Sequence, residues 1–146
     1  MILSRSAELS DVDGFPDCRR TQFGDSPEQA DVLGHLIVTG VKTATCSALW
    51  EYEAENERLP APGDRTIILD GRNAPLCVIE TTAVEICRFC DVDTEFAYDE
   101  GEDDRSLESW RRAHWKFFTR SLAKIGRELT DEMPLVCERF RIIHTW

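Results

Sequence analysis

The chain has 146 residues, with 17 Lys and Arg against 28 Asp and Glu, a formal net charge of −11. Its length argues for one domain, and 42% hydrophobic with 31% charged residues excludes a wholly disordered chain. No run approaches the roughly 20 apolar residues needed to span a bilayer, and residues 1–20 lack the basic and apolar regions of a secretory signal, so a cytoplasmic protein with no membrane partner is expected. The acid excess also disfavours long duplex DNA as a partner, because phosphate neutralisation supplies most of that affinity. A nucleoside, a short oligonucleotide or a structured RNA stays compatible.

Residues 1–22 are acidic and broken by Gly14-Phe15-Pro16, and read as an N-terminal arm; the folded domain is expected over 23–146. It begins at Asp25-Ser26-Pro27-Glu28, where Asp25 or Ser26 can cap a helix and Pro27 fits its first turn. Ala30, Leu33, Ile37 and Val38 recur at helical spacing, and Gly40 is the stop. Lys42-Thr43-Ala44-Thr45-Cys46-Ser47 follows, a strand or extended turn of small side chains. Residues 49–54 have helical propensity and lead to the Pro60-Ala61-Pro62-Gly63-Asp64 turn. Residues 66–69 and 76–80 read as strands joined by a hairpin over 70–73, with 83–86 continuing the second past a bend at Thr81-Thr82.

Residues 93–108 read as a dense acidic loop. Ser106 can cap a further helix that carries Leu107, Trp110, His114, Phe117 and Phe118 on one stripe. Residues 135–143 alternate as a closing strand. Helices and strands in this order, without strict βα alternation, give an α+β fold around a small mixed or closed sheet, not a Rossmann-type one.

Six cysteines invite a metal or disulfide reading. Cys77, Cys87 and Cys137 lie in apolar strand-like runs, where a free thiol packs as a small hydrophobe. Cys87-Arg88-Phe89-Cys90 is a CxxC, but no second CxxC or His pair completes a zinc set. No metal and no cofactor is expected.

Candidate chemistry centres on Lys42, Thr45 and Glu100. Lys42 follows a helix stop among small residues; desolvated, its amine can act as a base toward a hydroxyl, and Thr45 is the nearby nucleophile candidate. In an extended segment residues i and i+3 point to opposite sides, so that pairing needs a turn between them. The competing reading is a solvated lysine and a threonine bonded to its own backbone. Glu100 stands out from the other acids because Gly101 permits a turn that aims its carboxylate inward, for proton transfer or to hold Lys42 charged.

Trp50 and Tyr52, close to the Lys-Thr run, are candidates for stacking on a nucleobase, a contact worth roughly 1–3 kcal/mol. Arg111, with Arg112 and Arg120, can form a basic face for RNA, or simply be solvated. His114 is a candidate substrate contact or general base; the plainer reading is a hydrogen-bonded histidine in a packed helix face.

Three patches taken together carry a resemblance: Gly40-Val41-Lys42-Thr43-Ala44-Thr45, then Ala97-Tyr98-Asp99-Glu100-Gly101, then Trp110-Arg111-Arg112-Ala113-His114 leading to Phe117-Phe118. With the Pro62-Gly63-Asp64 turn and the Ile79-Glu80-Thr81-Thr82 strand, they resemble the ASCH domain family over residues 23–140. The resemblance implies a PUA-like β-pseudobarrel of five to six mixed strands flanked by helices. It also implies work on RNA or on modified nucleosides. Some members look like ribonucleases, others like non-catalytic RNA-binding modules, and one branch comprises amidohydrolases that deacetylate acetylcytidine. That branch uses a Lys-x-x-Thr pair and a Glu in an Ala-x-x-Glu segment, which Lys42, Thr45 and Glu100 match. This chain is longer than that branch around residues 50–60 and in its second helix, which leaves the substrate open; the sequence does not give the oligomeric state either.

Overall fold

Ser26 accepts a hydrogen bond from the Gln29 amide and Pro27 occupies the first turn, so helix α1 (Pro27–Val38) starts where its cap and its proline dictate. The structure, a computed structural model, describes residues 8–10, 14–16 and 18–146. Strands β1 (Glu8–Ser10) and β2 (Cys18–Gln22) precede α1. After it come β3 (Ala44–Ala48), α2 (Leu49–Glu55), β4 (Arg65–Leu69) and β5 (Pro75–Arg88). A 3₁₀ turn at Phe89–Asp91, helices α3 (Thr94–Glu100) and α4 (Leu107–Ala123), and strand β6 (Pro134–Thr145) complete the chain. Among the described residues no helix is long and apolar enough to cross a membrane.

The strands form one mixed sheet in the order β1-β2-β4-β5-β6-β3, in which only β2 and β4 run parallel. Strand β2 thus lies inside the segment read as an arm and is hydrogen-bonded into the sheet. The long strands β5 and β6 pair from Cys77 to Arg88 of β5, and their register shifts between Val78 and Ile79 and again between Thr81 and Ala83, at the predicted bend. Such a bulge bends and twists its strand, and here the sheet curls into a half-barrel. The α+β architecture matches the expected one.

The acidic stretch departs from expectation. Asp93 accepts from the Phe96 amide and starts α3, so Glu100 is the last residue of a helix and not part of a loop. Gly101 ends that helix with φ +75°, and a Cβ there would sit 2.6 Å from the Val41 carbonyl oxygen. Only glycine lets the end of α3 close against residues 41–43, where the Thr43 amide donates to the Asp99 carbonyl at 2.8 Å. Ser106 caps α4, whose stripe of Trp110, His114, Phe117, Phe118 and Leu122 is buried against the sheet's core, with Leu135 and Met133.

Candidate functional site

Three segments converge at Lys42: the turn after α1, the end of α3, and α4. The Lys42 ammonium is sealed from solvent and donates to Glu100 Oε1 at 3.1 Å, Glu102 Oε2 at 3.0 Å and the Ala44 carbonyl at 2.9 Å. Glu100 is fully buried, and its other oxygen, Oε2, accepts from the Trp110 indole N–H and from the Cys46 thiol. His114 stacks on Trp110 at 4.2 Å and gives its Nδ1–H to the Trp110 carbonyl at 2.8 Å. That leaves its Nε2 3.4 Å from Glu100 Oε2, off the line of a hydrogen bond.

The charges in this cluster hold one another. Burial works against the Lys42 charge, but Glu102 and Glu100 outweigh it and hold the amine above the ordinary lysine range. Burial likewise raises Glu100, and Lys42 and His114 outweigh it, holding the carboxyl well below the usual carboxylate range. Glu102 is lowered by Lys42 against the same opposing burial. Lys42 is therefore a protonated donor at neutral pH and not a base, and Glu100 is an ionised acceptor. By donating to the Ala44 carbonyl, Lys42 also pins the backbone immediately before Thr45.

Cys46, Glu100 and His114 bring potential metal-ligand atoms within 4.8 Å of one another. Their chemistry competes with that use. Burial pushes the Cys46 thiol up, with Glu100 adding to it, and Glu100 Oε2 is already engaged by Trp110.

Thr45 faces the other way. Side chains alternate along β3, so Cys46 meets Glu100 on one face while Thr45 and Ser47 point to the opposite face. There the Ser47 hydroxyl meets the Tyr52 hydroxyl at 2.9 Å. Thr45 stands directly across from Glu138 of β6, and residues opposite in an antiparallel ladder share a face. This face borders a cavity of about 780 Å³ between the curled sheet, α2 and the turn at 60–64. Cavities of roughly 300–1,000 Å³ are the size of small-molecule sites. Phe15, Arg19, Tyr52, Asp64, Thr81 and Glu138 line it, whereas Thr45, 2% exposed, is buried beside Glu138.

The pattern of an ASCH domain matches residues 19–144. The chain belongs to the ASCH domain family. That family is RNA-binding-like in general. Among solved structures, the ASCH domain from Lactobacillus crispatus JV V101 is 34% identical, with a TM-score of 0.83 over 86% of this chain and 79% of that one. A structure from Enterococcus faecalis V583 is 42% identical, with a TM-score of 0.82 over 90% of this chain and 78% of that one. No protein of curated function matches the chain.

In this ASCH domain the residues expected to work together occupy two places. Lys42, Glu100 and His114 form the sealed cluster, and Thr45 and Tyr52 lie on the cavity side. Trp50 is apart from both, half-buried under the Arg127 guanidinium, 3.9 Å from its ring centre. Arg111 is exposed on α4 and donates to the Cys90 carbonyl at 3.3 Å. The Lys-x-x-Thr spacing has no reversing turn to bring the two side chains together; it places them on opposite faces of one strand's start. Glu138 and Thr81 were not among the sequence candidates. The one sequence signal for Glu138 is a carboxylate set within the strand-like run at 135–143.

Proposed function

We propose that this ASCH domain acts on a modified nucleoside held in the cavity, as a hydrolase of an acylated base. The observation that carries the reading is the cavity itself. It is nucleoside-sized, it carries Phe15 and Tyr52 as apolar walls, and a buried carboxyl lies on its surface next to the Thr45 position. The net charge of −11 also suits a small ligand better than a long RNA.

In such a reaction the Thr45 hydroxyl, enclosed beside Glu138 in the free protein, is uncovered as the ligand seats. It attacks the acyl carbon, the C–N bond breaks, and the amine leaves with the hydroxyl's proton. Water then cleaves the acyl-threonine ester, so that one amide and one water give one acid and one amine. Lys42 and Glu100 are positioning residues in this scheme, because their pair fixes the Ala44 carbonyl that precedes Thr45.

The test is incubation of the full chain with acetylcytidine and related acylated nucleosides, with product followed by chromatography. Turnover that falls at least about 10³-fold in Thr45→Val, with the fold intact, is the expected result. Nucleoside binding without turnover instead favours a non-catalytic module using the same cavity.

A further inference from the structure

The cavity holds one group to which no task has been given, the Glu138 carboxyl. Its Oε1 accepts from the Thr81 hydroxyl at 3.4 Å. Its Oε2 is buried and has no hydrogen-bond partner among the described residues. The residue as a whole is 6% exposed and lies on the cavity wall. A buried carboxyl oxygen without a partner is unfavourable, and a ligand atom meeting it there would satisfy it. The Arg19 Nε, also on a residue lining the cavity, is a second unpartnered polar atom.

The charged groups around Glu138 are matched with one another. Arg58 forks onto Asp64 at 2.9 and 3.2 Å, Arg19 of β2 lies 4.0 Å from Glu57, and Arg65 of β4 pairs with Glu80 at 3.3 Å. The other polar neighbours are the hydroxyls of Thr45 on β3, Tyr52 on α2, Thr66 on β4 and Thr81 on β5. Burial pushes the Glu138 carboxyl up to about 7; Asp64 adds to this, while Thr81 and Arg19 pull the other way. No cation forms a close pair with it among the described residues.

We propose that the cavity takes an uncharged heterocycle with a hydrogen-bond donor and acceptor side by side, the amide- or amidine-type edge of a nucleobase, and that Glu138 reads this edge as a neutral carboxylic acid. The inference rests on the reading of the cavity as a nucleoside site. A protonated carboxyl offers one O–H donor and one acceptor oxygen, the complement of such an edge. An ionised carboxylate offers acceptors only and meets the ligand's acceptor with repulsion. Oε2, enclosed in the free protein, donates the proton once the carboxyl turns to the ligand, and Oε1, which has a second lone pair beyond the Thr81 bond, accepts from it.

Calorimetric titration of cytidine into the full chain between pH 6 and 9 tests this. In the unsubstituted protein the affinity falls about tenfold per pH unit once Glu138 ionises, and above that point binding takes up one proton, measured by repeating the titration in buffers of different protonation heat. Glu138→Gln presents an amide donor and acceptor at every pH, so it binds cytidine with a flat profile and more tightly than the parent at pH 9. Proton uptake needs no variant and is read even if Glu138→Gln folds poorly. Binding that is flat with pH and without proton uptake overturns the role of Glu138 and leaves the nucleoside site standing. No cytidine binding anywhere in the range overturns the nucleoside reading and this inference with it.

Discussion

Lys42 Nζ and Glu100 Oε1 lie 3.1 Å apart, and neither side chain reaches solvent. Taking two charges out of water is costly, and the pair persists because Glu102, Trp110, Cys46 and the Ala44 carbonyl complete the shell around it. Removing one partner strands the other. Lys42→Met or Glu100→Gln alone is expected to destabilise the fold by about 3–5 kcal/mol. The double variant is expected to lose less than the sum, because no unpaired charge remains at that contact. Denaturant titration of the three variants checks this, and strict additivity would refute the coupling.

The same cluster sets the acid limit of stability. Glu100 and Glu102 have folded-state pKa values below the ordinary 4.5, so the stability they contribute is present above that value and is lost as pH falls below it. Lys42 is shifted upward, so its contribution is present at neutral pH and is lost as pH rises beyond the ordinary 10.5. Melting temperature against pH is therefore expected to drop below about pH 4.5, and Lys42→Met to flatten that drop. A drop of equal steepness in Lys42→Met counts against the cluster as its source.

Local signals in the sequence carry much of this fold. Ser26, Pro27, Gly40 and Ser106 act within a few residues of where they stand, so caps and stops could be placed without tertiary knowledge. Helix α3 was illegible because its cap, Asp93, stands in a run of acids, and because the burial that stabilises it comes from Phe96 and Ala97 meeting distant segments. The membership of Lys42 and Glu100 in one site was visible through the family pattern, but their burial and protonation were not. Those depend on Glu102 and Trp110, brought in from other segments. Glu138 was missed for a related reason: on an alternating strand a carboxylate reads as outward-facing, and only curling of the sheet turns that face inward.

Gly101 separates a packing role from a merely permissive one. Its φ of +75° already disfavours a side chain, and a Cβ would meet backbone atoms of Val41, which cannot swing aside as a flexible side chain can. Gly101→Ala is expected to cost at least about 1–2 kcal/mol, more than an exposed left-handed glycine such as Gly126, where a Cβ meets nothing within 4 Å. Because the affected contact lies beside Lys42, the variant should also speed hydrogen exchange at the Thr43 amide, which bonds to the Asp99 carbonyl. Equal losses for Gly101→Ala and Gly126→Ala would mean that only φ matters.

Glu138 makes the opposite pH statement from Glu100. Its folded-state carboxyl is raised from the ordinary 4.5 to about 7, chiefly by burial, so the folded protein holds a proton that the unfolded chain has released. Stability from this group is therefore full below about pH 4.5, declines as pH rises through the interval to about 7, and levels off above it. Glu138→Gln removes the ionisation while keeping an acceptor for the Thr81 hydroxyl. At pH 8 it is expected to be more stable than the parent by up to about 3 kcal/mol, and at pH 4.5 to differ little. Thermal melts of both proteins at the two pH values decide it. A variant that is less stable at pH 8 would place an ionised, well-partnered Glu138 in the folded protein, and the cavity would then present a carboxylate rather than a neutral acid to its ligand.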